Sequence, residues 1–203
     1  MFSSPQAIVL GFLALLPAFV LHELAHAYTA VTLGDPTPRV QGRLTLNPLK
    51  HLDLIGTILI LSTGFGWARP VEVNLRNFRD PLRDNAIVAA AGPLTNLLLA
   101  LLAAMGLMSL RPSGLFVTFL YQFFAYNVAL FVFNIIPIPP LDGSRILAGV
   151  LPRRQAYAFH QLEPYGWAIL LFVMLFGALD FVLRPLAGGV TTLLLGIAHA
   201  VAG

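Results

Sequence analysis

The 203-residue chain is 58% hydrophobic and 10% charged. A soluble domain carries roughly 25% charged residues, so a mean hydropathy of +0.81 points to an integral membrane protein and excludes a soluble enzyme. The net charge of +3 is no nucleic-acid footprint, because the basic residues fall in loops where they set topology; with no cysteine, disulfides and thiolate metal sites are excluded as well.

Residues 7–33 form the first apolar run. No Lys or Arg precedes it, it outlasts a signal-peptide core, and no cleavage pattern closes it, so it is expected to stay as a span. About two-thirds of the way along stands His22-Glu23-Leu24-Ala25-His26. On a helix this HExxH spacing puts two imidazoles on one face, where they can share a divalent zinc. The intervening Glu23 is then close enough to take a proton from metal-bound water. Two histidines and a glutamate are costly in hydrocarbon, which argues for a site.

Residues 39–46 come next, alternating Arg-Val-Gln-Gly-Arg-Leu-Thr-Leu before Asn47-Pro48. That pattern predicts a small hairpin or sheet at the membrane surface. Residues 54–68 are apolar but short, and Ser62, Gly64 and Gly66 interrupt them. They read as a re-entrant or membrane-lying segment. Residues 86–110, 115–138 and 167–183 are predicted spans, followed by a weak apolar tail at 190–202. The fold class expected is an all-α membrane protein of four to six transmembrane helices around an intramembrane zinc site, forming one membrane-embedded domain over 1–203. Its core motifs lie within 7–150 and its C-terminal helices within 165–203.

Charge distribution orders these spans. If 54–68 dips in and returns, Arg39, Arg43, Lys50, Arg69, Arg76, Arg79 and Arg83 share one side with Arg145, Arg153 and Arg154. Only Arg111 and Arg184 lie opposite. This positive-inside bias puts the N-terminus outside and the HExxH motif nearer the cytoplasmic face of the cell membrane.

A catalytic zinc takes three protein ligands and keeps one position open. Beside His22 and His26, two acids fall within or next to spans: Asp142 and Asp180. Asp142 follows a stretch in which Pro137, Pro139 and Pro140 forbid regular helix, and unwound backbone at membrane depth is tolerated only where it lines a cavity or is buried. Gly143 then permits a tight turn that aims the carboxylate inward. The competing reading of Asp142 is a helix cap. Asp180 has an ordinary partner in Arg184 at i+4. Asp142 is the expected third ligand.

The chain resembles the site-2 proteases, intramembrane zinc metalloproteases. The likeness rests on His22-Glu23-Leu24-Ala25-His26, Ala91-Gly92-Pro93-Leu94-Thr95-Asn96 and Asn134-Ile135-Ile136-Pro137-Ile138-Pro139-Pro140-Leu141-Asp142-Gly143. Gly66-Trp67-Ala68-Arg69-Pro70-Val71 is similar to a segment of the short members. The resemblance implies one zinc held by His22, His26 and Asp142, Glu23 as the base, and a core of three spans. It is to a short form without PDZ or CBS domains.

The reaction expected is hydrolysis of single-span or signal-peptide-like membrane substrates, with the lipid bilayer as surroundings and no nucleic acid as partner. A substrate helix must unwind first, and residues 39–46 or the proline-rich stretch offer it strand pairing. Asn134 and Asn96 are candidates to bind the substrate backbone or the oxyanion, against the alternative of interhelical hydrogen bonding that also serves for Asn127. Gly92-Pro93 would let its span crowd the metal. A metal transporter or a metal-binding membrane scaffold is the alternative reading.

Overall fold

The computed structural model describes residues 5–63, 69–110 and 112–202. Helix α1 (Pro5–Thr32) is 28 residues, about 42 Å at the rise of an α-helix, and crosses with length to spare. A four-residue turn, α2 (Thr37–Val40), and the ten-residue α3 (Leu54–Thr63) come after it. Next are α4 (Pro81–Ser109) and α5 (Gly114–Asn134), then the short α6 (Asp142–Val150) and α7 (Arg153–His160). Helices α8 (Gly166–Leu175) and α9 (Ala178–Ala202) complete the chain. Among the described residues, four helices are long and apolar enough to span: Val9–Thr32 of α1, and α4, α5 and α9. The protein is a multi-pass membrane protein.

Its residues are distributed as lipid demands. Leu94, Leu98 and Leu102 of α4, Leu115 and Phe116 of α5, and Phe181 and Leu193 of α9 are exposed, while His22, Glu23, His26, Asn96, Asn127 and Asp142 are buried. With hydrocarbon outside, apolar side chains gain nothing by hiding and polar ones must find partners within. Small residues set the close approaches: Ala100, Ala103 and Ala104 of α4 pack on Phe124, Val128 and Val132 of α5 and on Leu194 and Ala198 of α9.

Two expectations are corrected. Residues 39–46 are not a strand, and no sheet is present among the described residues. Pro36 and Pro38 favour the helical turn α2, Gly42 reverses the chain at φ +67°, and Arg43 points inward. The alternation that suggested a strand is inverted: Val40 is 83% exposed and Leu46 65%, whereas Arg43 is 3% exposed. The fifth apolar run is also divided differently. The helix breaks at Gly177, φ +68°, where L side chains are strained. Helix α8 therefore stops at ten residues, about 15 Å and half a bilayer. The crossing belongs to α9, which unites the end of that run with the tail.

His51 and Arg69, on either side of the 54–68 stretch, are held together. Arg69 N–H donates to the His51 carbonyl (2.8 Å), and Asn74 N–H to the Asp35 carboxylate (2.7 Å). Helix α3 covers about 15 Å, too little to cross. Residues 64–68, with the Gly66–Ala68 part of the fourth motif, and Arg111 lie outside the described residues.

Candidate metal centre

The centre is assembled from three elements. His22, Glu23 and His26 come from the second half of α1, Asp142 opens α6, and Gly92 of α4 faces the histidines. His22 Nε2 and His26 Nε2 are 3.0 Å apart, and each is 3.2 Å from Asp142 Oδ2. All three ligand-bearing residues are buried and form the group among the described residues able to hold a metal ion.

The tautomers follow from the neighbours. His22 Nδ1–H donates to Asn96 Oδ1 (2.5 Å), and His26 Nδ1–H donates to the Val88 carbonyl (2.7 Å). With Nδ1 protonated and engaged, each Nε2 presents a lone pair. Asp142 Oδ2 is buried without a well-formed hydrogen bond. Three electron-pair donors so close would repel one another in a medium of low dielectric unless a cation lay between them. Tetrahedral zinc separates its ligand atoms by about 3.4 Å, near the distances found, so the residues present fit zinc.

Two glycines make room for this. A Cβ on Gly92 would fall 2.6 Å from His22 Nε2 and also strike His26 Nε2, so α4 abuts the imidazoles only because position 92 is bare. The expectation that this span crowds the site holds. A Cβ on Gly143 would collide with the backbone of Ile135 and Ile136. Gly143 thus serves close packing beside Asp142 and not a left-handed turn, since it lies inside the first turn of α6. The Asp142 side chain does not cap that helix, whose N-cap is Leu141.

Glu23 is fixed from the loop side. Val71 N–H donates to Glu23 Oε2 (3.0 Å), and the Arg43 guanidinium approaches the same oxygen at 3.9 Å. Arg43 also donates to the carbonyls of Lys50 and Arg69. His51 is fully buried, its Nε2–H donating to the Thr45 carbonyl (2.8 Å). Asp35, also fully buried, accepts from Thr37 N–H and Oγ1 and from Asn77 Nδ2 as well as from Asn74. Burial alone would raise the Asp35 carboxyl, but these donors outweigh it and hold its pKa below the ordinary range. Arg43, His51 and Asp35 carry little signal in the sequence. They sit in polar loop stretches, and only their partners, up to 42 residues away, reveal them.

Asn96 is fully buried and its amide is committed: beyond accepting from His22, it donates to the Ala18 carbonyl (3.2 Å) and to Asn127 Oδ1 (2.8 Å). Asn127 in turn donates to the Phe123 carbonyl. Asn96 therefore makes the interhelical hydrogen bonds weighed as its alternative role, one of them to His22. Asn134 donates to the Leu130 carbonyl and lines a cavity of about 720 Å³ that also reaches His22, Glu23, His26 and Asp142. Asp180 lies on that cavity's wall, exposed and paired with Arg184 at 3.2 Å, apart from the histidines.

Fold and donor set together define a class: a multi-pass membrane protein with a zinc-fitting centre among its spans. The sequence profile of Peptidase family M50 matches residues 108–177, the stretch that contains Asn134 to Gly143. Three similar proteins carry the name Putative zinc metalloprotease. YwhC of Bacillus subtilis is 44% identical over 86% of this chain and 84% of its own length. MJ0611 of Methanocaldococcus jannaschii is 30% identical over 83% and 80%. Rip2 of Mycolicibacterium smegmatis is 33% identical over 81% and 66%. No solved structure matches. The chain belongs to peptidase family M50, the site-2 proteases, and is a zinc metalloprotease of the membrane.

Proposed function

We propose that this protease cleaves peptide bonds of single-span or signal-peptide-like membrane substrates, with one zinc held by His22, His26 and Asp142 and with Glu23 as general base. The observation that carries the reading is the convergence of three electron-pair donors beside a buried carboxylate, at the wall of an apolar cavity between spans. Zinc, when bound there, polarises a scissile carbonyl and makes water acidic enough to deprotonate near neutral pH. Glu23 accepts the proton of the attacking water and later delivers it to the leaving amine. Val71 N–H on Oε2 keeps that carboxylate from rotating away. Asn96 and the Val88 carbonyl keep both imidazoles in the tautomer that leaves Nε2 free.

Phe19, Leu130, Phe133 and Leu170 give the cavity an apolar wall, which suits a hydrophobic peptide segment. Asn134, at the same wall, is suited to hydrogen-bond an unwound substrate backbone or the developing oxyanion. The basic residues from Arg39 to Arg83 support a centre nearer the cytoplasmic face under the positive-inside rule.

Purified protein in detergent, assayed for zinc and for cleavage of a single-span peptide, tests this reading. Wild type and Glu23→Gln are each expected to hold about one zinc, with activity in wild type alone. Asp142→Ala should lose zinc and Asp180→Ala should keep it. An active Glu23→Gln protein sinks the proposal.

A further inference from the structure

We propose that Arg43 is a positioning residue for hydrolysis, holding the Glu23 carboxylate and the strap that grips it in one geometry. The inference deepens the reading of Glu23 as the base and rests on it. Among the described residues, Arg43 is the only buried arginine. A guanidinium is expensive to bury, and two backbone carbonyls with no charge do not require one. Its fork does three things at once. One arm donates to the Lys50 carbonyl, the other donates to the Arg69 carbonyl, and that second arm stands 3.9 Å from Glu23 Oε2.

The Arg69 contact matters because Val71 lies just beyond it in the chain. Val71 N–H donates to the same Oε2 that faces the guanidinium. Arg43 therefore controls Glu23 twice, by direct charge and through the backbone of 69–71. Pro70 and Val71 line the cavity and Arg43 does not, so Arg43 acts through its neighbours. A planar two-armed cation does this; a lysine offers the charge without the fork.

The test measures kcat, KM and zinc content for Arg43→Ala and Arg43→Lys, with methylguanidinium added back. A misplaced reacting group costs on the order of 100-fold. Arg43→Ala is expected to keep its zinc and a KM within about threefold of wild type while kcat falls about 100-fold. Arg43→Lys should fall about tenfold, and methylguanidinium should restore Arg43→Ala severalfold. Wild-type kcat in either variant overturns the proposal. So does an equal loss in both variants with zinc gone or no recovery, since that marks Arg43 as a loop clamp only. Should Arg43→Ala not fold, Arg43→Lys decides by its kcat at unchanged zinc and KM. Activity in Glu23→Gln is a separate result that removes the general base whatever Arg43 does.

Discussion

Asn96 sets the state of His22 from a neighbouring helix. Its carbonyl oxygen accepts from Nδ1–H, and its amide nitrogen is held by Ala18 and Asn127, so it cannot flip to present a donor to the imidazole. Such outer hydrogen bonds are worth about 10- to 100-fold in metal affinity. Asn96→Leu should weaken zinc binding by that factor, read by chelator competition, while Asn134→Leu leaves zinc affinity unchanged and alters turnover. The split distinguishes a residue that shapes the ligand from one at the cavity wall. Gly92 acts at the same scale by absence, since the α4 backbone occupies the space next to both Nε2 atoms.

At the scale of elements, the described residues that connect α1 to α4 form a frame tied by buried polar groups. Asp35 links the end of α1 to Asn74 and Asn77, and Arg43 and His51 link the chain before α3 to the chain after it. The Asp35 carboxyl is held below its ordinary pKa, so it binds protons less readily folded than unfolded. Its stabilisation is therefore complete above about 3.9, the unfolded value, and is lost as pH falls through the depressed folded value. Asp35→Asn should lower stability at pH 7 by about 2–4 kcal/mol. Thermal unfolding in detergent should show the gap between variant and wild type closing only below pH ~4.

For the whole molecule, the order of spans decides which side each loop meets. Leu179, near the start of α9, packs with Ile136 and Leu141, while Leu194 and Ala198 near its end pack with Ala100 and Ala104 of α4. Helix α9 thus starts beside the end of α5 and runs across, and α8 does not cross. Arg184 then sits in the first half of α9, toward the side of Arg145, Arg153 and Arg154, which sharpens the charge bias expected with 167–183 as the span. Because the chain has no cysteine, single introduced ones report cleanly. Arg79→Cys and Arg154→Cys should be shielded from an impermeant maleimide in intact cells, and Ser113→Cys and Ala200→Cys should be labelled. Labelling of Ala200→Cys on the Arg79 side would refute the arrangement of α9.

The membrane class, three of the four spans and the HExxH pair were legible from local pattern alone, because helix period and hydropathy act over a few turns. The grouping of Asp142 with the two histidines was within reach too, since prolines and an acid at the end of a span are local oddities. What sequence could not decide depends on partners far along the chain. Asn96 meets His22 74 residues away, and Val71 meets Glu23 across 48. The inward turn of Arg43 and the break at Gly177 were hidden for a related reason: alternation and apolar runs assume which side is water. In this protein lipid surrounds the spans and His22, Glu23, His26 and Asp142 converge among them, so only the packed helices fix which residues face the metal centre.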